Sequence, residues 1–342
     1  MIFLREKKEG ILNSEFGMQN SEFVGGFWSI IDLILGKYEN VGKDWIDMRL
    51  EMDFINNVKI IDMRVVPGDS GFLLDDGETS ILYDTGFAFT GEGLAKNVKD
   101  YLQNRKLDYI FLTHSHYDHV LGSAYVKKLF PEAKIVAGEY AAKIFGKASA
   151  KAIMRDLDRK FATKCNVQQY KDLIDDLSVD ITVKEGDFIK TKSLEFEIID
   201  LPGHTKCSVG FYCKNQKLLL GTETLGVFNG KNDVVPSYLV SYENTLKSLE
   251  KAKNLEIDGI LVPHYGLVKN ETAKFYLEKG EERAIFTANS IKKMFQSGKS
   301  KEEIFQWFKD EFYKDYIVEI YPIDAMKLNT SIMIDLIQKE VM

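Results

Sequence analysis

Cysteine, histidine and excess positive charge are all scarce in this chain of 342 residues. The three cysteines, Cys165, Cys207 and Cys213, form no CxxC pair. They are too few and too scattered for a disulfide framework, and they fit a reducing compartment. A formal net charge of −7 argues against a broad nucleic-acid-binding surface. The stretch "SGKSKEE" mixes signs, as the solvated start of a helix does. Long hydrophobic runs are missing too. "FWSIIDLIL" (27–35) falls well short of the roughly 20 residues needed to span a bilayer. "MIFLREKKEG" meets charge after four residues and has no apolar core of signal-peptide length. These absences set the expectation of a cytoplasmic protein with neither a nucleic-acid nor a membrane partner. The apolar fraction of 45% is ample for a globular core.

The elements fall into an order. Residues 1–57 are aromatic-rich and irregular, with one amphipathic helix expected around 27–38. "KIIDMRVV" then reads as a strand, and "GFLLDDGETSILYDTG" as a hairpin turning at "DDGE". A helix over 93–105 places Leu94, Val98, Tyr101 and Leu102 on one face. The strand "YIFLT", the helix "VLGSAYVKKLF" and the strand "AKIVAG" follow. Residues 139–178 are polar and helical and interrupt the alternation like an insert. "DITVKEGD", "SLEFEIIDLP", "SVGFYCK" and "KLLLG" read as strands, "YENTLKSLEKAK" as a helix and "GILVP" as a strand. Beyond His264 the chain reads as helical, over about 271–296, 301–313 and 324–340, with Ser300 and Glu303 as a capping box. Strands, alternation, strands and then helices fit two sheets sandwiched by helices better than one doubly wound parallel sheet. The expected domains are an N-terminal extension (1–57), a catalytic domain (58–270) and a helical lid or oligomerisation segment (271–342).

All five histidines lie in three short stretches, "THSHYDH" (113–119), "LPGHT" (201–205) and "VPHYG" (262–266), each just after an apolar strand. Loops at strand ends are where a rigid scaffold presents chemistry. In an extended segment His114 and His116 point the same way, while Asp118 and His119 continue into the next helix. Imidazole nitrogen and carboxylate oxygen suit zinc or iron. Four candidate ligands within six residues, joined by His204 and His264, point to two ions.

"THSHYDHVLG" resembles the HxHxDH signature of the metallo-β-lactamase superfamily, and "PGHT" and "PHYG" resemble its later histidine motifs. The resemblance spans about residues 58–270. It implies an α/β fold, the αβ/βα sandwich, with a two-metal site along one edge. Carried over by position, His114, His116 and His204 would hold one metal, and Asp118, His119 and His264 the other. Where the family has a bridging aspartate, "GTETLG" (221–226) places Glu223, one methylene longer. Asp84 in "YDTG" matches a carboxylate that orients a ligand histidine. Zinc is the first expectation, with iron or manganese next.

Two such ions would share a hydroxide for attack on a carbonyl, with Asp118 orienting it or taking its proton. Tyr117, Tyr265, Phe87 and Phe228, with Phe89, are candidates for the substrate pocket. Cys207 reads as a buried structural cysteine. The helical C-terminus, with "LGVF" and "FQSGKSKEEIFQWF", is similar to glyoxalase II and more so to the quinolone-signal-response thioesterase branch. That implies a small-molecule thioester or acyl-ester substrate, with a homodimer through the helices as a further expectation. Alternatives are a lactonase or phosphodiesterase of the same fold, or a signalling or binding module with a weakened metal site.

Overall fold

A computed structural model of the chain describes residues 52–341. The helix expected around 27–38 lies outside the described residues. The first sheet has seven strands in sequence order: β1 (Met52–Ile55), β2 (Val58–Asp62), β3 (Phe72–Asp75), β4 (Ser80–Tyr83), β5 (Tyr109–Leu112), β6 (Lys134–Gly138) and β7 (Ile181–Val183). β1 to β4 form an antiparallel meander, and β4 to β7 run parallel. The "DDGE" turn forms as expected. Asp76 Oδ1 accepts from the Glu78 and Thr79 amides at 3.0 and 2.8 Å, and Gly77 supplies the left-handed φ of 92°.

The second sheet contains β8 (Phe188–Lys190), β9 (Glu195–Asp200), β10 (Val209–Cys213) and β11 (Leu218–Leu220). After a separate ribbon of β12 (Val227–Phe228) and β13 (Val234–Val235), it is completed by β14 (Gly259–Val262) and β15 (Gly266–Lys269). The spatial order is β15-β14-β11-β10-β9-β8. Inward side chains of the two sheets share one core, where Phe111 stacks on Phe211 at 4.4 Å and meets Phe196 edge-on at 5.3 Å. Each such fully buried ring contributes about 1.5–3 kcal/mol relative to exposure.

Helices cover the outer faces: α1 (Gly91–Leu102), α2 (Tyr117–Val120), α3 (Ser123–Leu129), α4 (Glu139–Phe145), α5 (Ala148–Lys164), α6 (Tyr242–Lys253), α7 (Glu271–Gln296), α8 (Lys301–Phe312), α9 (Ile317–Ile320) and α10 (Ile323–Glu340). Leu201, Leu219 and Ile260 of the second sheet region pack in one cluster with Leu249, Tyr276, Phe308 and Met333 of these helices. The C-terminal helices therefore belong to the same core as the sheet. Ser300 and Glu303 form the expected capping box. None of the helices among the described residues is long and apolar enough to cross a membrane.

Three expectations shift. The chain beyond His264 is not helical at once. "GLVK" pairs antiparallel with β14, with Val262 opposite Gly266, because its buried and half-buried positions alternate with strand period. "DITVKEGD" is not one strand either: β7 closes the first sheet, and after a turn at Gly186 (φ 80°) the chain opens the second as β8. The boundary expected after residue 57 falls inside the β1–β2 hairpin, where Ile55 opposes Val58.

Candidate metal centre

Strand ends bring the candidate residues to one edge of the sandwich. Asp84 follows β4, and the parallel neighbour β5 runs into His114, His116, Asp118 and His119. His204 follows β9, Glu223 follows β11 and His264 follows β14. The two sheets are tied at this edge by the Val209 amide, which donates to the Thr113 carbonyl at 2.9 Å, and by the Tyr83 hydroxyl, which donates to Gly221 O at 2.8 Å. Gly122 is required by close approach: a Cβ there would lie 1.9 Å from the Thr85 carbonyl oxygen.

Two sets of ligand atoms result. His114, His116, His204 and Glu223 form one, and Asp118, His119 and His264 the other; within each, the atoms lie within 4.8 Å of one another. Glu223 stands between them. Its Oε2 is 2.8 Å from His204 Nε2 and 3.5 Å from both His114 Nε2 and His119 Nε2, while Oε1 is 3.6 Å from His264 Nε2. Asp118 Oδ2 lies 3.9 Å from His119 Nε2 and 3.8 Å from His264 Nε2. All are buried except His116 and Asp118, which mark the opening to solvent.

Outer partners set the tautomers. His119 Nδ1 donates to Asp84 Oδ2 at 2.7 Å. His264 Nδ1 donates to the Gly68 and Asp69 carbonyls at 3.0 and 3.2 Å, and His204 Nδ1 to the Ser237 carbonyl at 2.7 Å. Thr113 donates its hydroxyl to Asp84 Oδ2 at 3.0 Å and so accepts from His114 Nδ1 at 3.0 Å. Each Nε2 is thereby turned inward as an acceptor. Yet His119 Nε2 and His264 Nε2 are 3.1 Å apart, and His204 Nε2 faces a carboxylate oxygen. Acceptors this close require a proton or a cation between them.

Burial works against charge on His119, but the Asp84 and Asp118 carboxylates outweigh it and raise its pKa well above the ordinary value. Glu223 is likewise pulled well below the carboxylate range: burial opposes ionisation, and His204, His114 and His119 overcome it. Protons do not serve every member. Burial and the neighbouring His119 push His114 well below its usual value, and the partial burial of His116, with His204 beside it, lowers that residue to about 3. Buried His114 Nε2 has no hydrogen-bond partner among the described residues; its 3.5 Å approach to Glu223 is too long for one. An inward-facing lone pair with no donor, among imidazoles and carboxylates, fits divalent metal ions.

The aromatic candidates separate. Tyr117, between two ligands, packs on buried Phe87 at 5.6 Å, and Phe87 continues to Phe89 and to Phe161 of α5 at 5.0 and 4.8 Å. Of this cluster Tyr117, half-buried like His116 and Asp118 on either side of it, lies next to the centre. Phe228 is 1% exposed and belongs to the core beneath Tyr265, whose ring it meets edge-on at 4.8 Å. Its place in the pocket is therefore corrected to one of support, and so is that of Phe87, 2% exposed and packed on Tyr117. Cys207 is buried and turned toward Ser115 and Thr205, as expected. Ser237, Arg64 and Tyr316 escape sequence reasoning, because each reaches its histidine from a distant segment with no motif around it.

A two-sheet sandwich carrying histidines and carboxylates on one edge defines a class, and the comparisons identify it. Residues 64–264 match the Metallo-beta-lactamase superfamily, and the chain belongs to it. It is 31% identical over 123 residues to glyoxylase B2 of Dictyostelium discoideum, covering 35% of this chain and 37% of that protein. It is 24% identical over 225 residues to hydroxyacylglutathione hydrolase 1 of Vibrio vulnificus, covering 61% and 75% respectively. Among solved structures, a metallo-beta-lactamase family protein from Thermus thermophilus aligns with TM-score 0.53 at 14% identity, over 81% of this chain and 88% of that one. A sec-alkylsulfatase from Pseudomonas sp. aligns with TM-score 0.57 at 12% identity, over 85% and 50%. At these identities the structures show a shared fold. Family and relatives together support a hydrolase that binds divalent metal.

Proposed function

We propose that this chain is a two-metal hydrolase acting on a thioester or a related acyl ester. The observation that carries the reading is Glu223, whose carboxylate oxygens reach histidines of both ligand sets within 3.6 Å. In this reading His114, His116 and His204 hold one ion, Asp118, His119 and His264 hold the other, and Glu223 spans the two. When bound, the ions would acidify a water and stabilise negative charge developing on a carbonyl oxygen. Asp118 has the most exposed side chain of the acidic ligands, at 22%, and it orients the attacking water or takes its proton. Asp84 holds His119 directly and His114 through Thr113. Tyr117 and Phe89 wall the acyl group, backed by buried Phe87, with half-buried Tyr265 over Phe228 as the further aromatic candidate.

Two considerations favour a thioester. A thiol leaving group has a pKa of about 8.5 and departs without a strong general acid. Relatives in sequence are named hydroxyacylglutathione hydrolases. Zinc is the proposed metal, and a cytoplasmic setting goes with the free thiols of Cys165, Cys207 and Cys213. The test is a panel of acyl thioesters, lactones and phosphodiesters assayed with zinc-, iron- and manganese-loaded protein. Thioesters should lead in kcat/KM by at least about tenfold, equivalent to ~1.4 kcal/mol of barrier. A preference of that size for lactones would replace the substrate class while leaving the centre in place.

A further inference from the structure

His264 has a left-handed backbone, φ 62°, in the turn between β14 and β15. A non-glycine residue held there sits in a sparsely populated conformation that its surroundings must over-determine. Here the surroundings are specific. The His264 carbonyl accepts from Arg64 Nη1, and from the Tyr316 hydroxyl at 3.1 Å. Arg64 Nη1 also donates to the Tyr316 oxygen at 2.9 Å. The guanidinium is itself fixed, because Nε donates to Asp62 Oδ1 at 2.9 Å, Nη2 donates to Asp62 Oδ2 at 2.6 Å, and the group lies 4.9 Å over the Phe72 ring. Its side chain is only 13% exposed.

The segment that follows Arg64 holds the other end of the same residue, since Gly68 O and Asp69 O accept from His264 Nδ1. Asp69 keeps that segment folded, its Oδ2 accepting from the Val65 and Val66 amides at 2.9 and 3.2 Å. The third member of the clamp comes from the C-terminal helical region. Tyr316 directly precedes α9, and its ring meets Tyr265 edge-on at 6.0 Å.

The geometry points to Arg64 and Tyr316 as positioning residues that clamp the His264 main chain, so that the C-terminal region sets the affinity of the second metal position. The inference rests on His264 being a ligand of that position, as proposed above. Nothing comparable holds the first set: His204 and His114 have normal outer partners but no cation on their carbonyls among the described residues. Loss of the clamp would free the turn to relax from its left-handed conformation and swing Nε2 away from His119 and Asp118.

The experiment is chelator competition on the full-length zinc-loaded protein, resolving two dissociation constants for wild type, Arg64→Gln, Arg64→Lys, Tyr316→Phe and His264→Ala. The expected result is that the constant abolished in His264→Ala is raised roughly 10- to 100-fold in Arg64→Gln, with a smaller rise in Tyr316→Phe and partial recovery in Arg64→Lys. The other constant stays at its wild-type value. Tyr316→Phe keeps the ring against Tyr265 and removes only the hydroxyl, so it decides the matter even where Arg64→Gln does not fold. Equal weakening of both constants, or no change in either, overturns the clamp. If His264→Ala loses one ion while Tyr316→Phe and Arg64→Gln bind both with wild-type constants, the clamp alone fails. If His264→Ala keeps both, the metal-centre reading fails with it.

Discussion

The two ligand sets share one edge of the sandwich but are supported unequally. His114 and His204 are held by partners of the sandwich itself and of the segment before α6, Thr113 for His114 and the Ser237 carbonyl for His204, while His116 Nδ1 meets His204 Nε2 at 2.9 Å. His119 and His264 depend on a carboxylate, on a loop and on the C-terminal region: Asp84, Gly68 and Asp69, and Tyr316. The first set is thus held from within the sandwich and the segment before α6, whereas the second also depends on the loop after Arg64 and on the C-terminal region. A two-metal site can in this way keep one position constant and tune the other from outside the core. Glu223, touching both, couples them.

That contrast can be broken in order of expected effect. Glu223→Ala removes the one side chain common to both sets. It should cost several kcal/mol, about 10³-fold in kcat/KM on the best thioester, and lower the metal content measured by elemental analysis. Asp84→Asn replaces a carboxylate that accepts from His119, Thr113 and Ser70. Chelator competition should show the second set weakened roughly 10- to 100-fold and the first set less, because His114 is reached only through Thr113. Gly122→Ala forces a Cβ to 1.9 Å from the carbonyl oxygen of Thr85, whose amide donates to the His119 carbonyl at 2.7 Å. A loss of about 1–3 kcal/mol should appear in urea unfolding of the metal-free protein.

Asp158 provides a control outside both sets. It is fully buried on α5, accepts from the Ala88 amide at 2.8 Å and from the Tyr170 hydroxyl, and burial raises its pKa to about 6. An acid with a raised folded-state pKa binds its proton more tightly in the native state. Its stabilising contribution is therefore complete below about pH 4 and is lost as pH climbs through about 6. Asp158→Asn should flatten the pH dependence of stability across that window, by on the order of 1–3 kcal/mol, and leave both metal affinities unchanged.

The candidate ligands were readable because the pattern that marks them is local. His114, His116, Asp118 and His119 are dictated by spacing within one loop, and His204, Glu223 and His264 each follow an apolar strand that points to the same edge. Most strands and the first hairpin were readable for the same reason, through period and turn chemistry at Gly77. What stayed hidden depends on distance. Arg64 meets His264 across 200 residues and Tyr316 meets it across 52, with nothing in either neighbourhood to announce the pairing. β15 is four residues long and begins directly after a ligand turn, so its alternation is too short to outweigh the helical pattern behind it. Phe228 follows the Glu223 turn and looked like a pocket residue, but burial under Tyr265 is decided by packing that no motif encodes.

The most direct test of the two-set centre is the metal content per chain of wild type and Glu223→Ala, each supplied with zinc, iron or manganese and freed of excess ion. Two ions in the wild type, with fewer in Glu223→Ala, are the predicted result. A wild type that takes up none of the three metals would contradict the account, leaving a folded sandwich whose edge serves binding rather than hydrolysis.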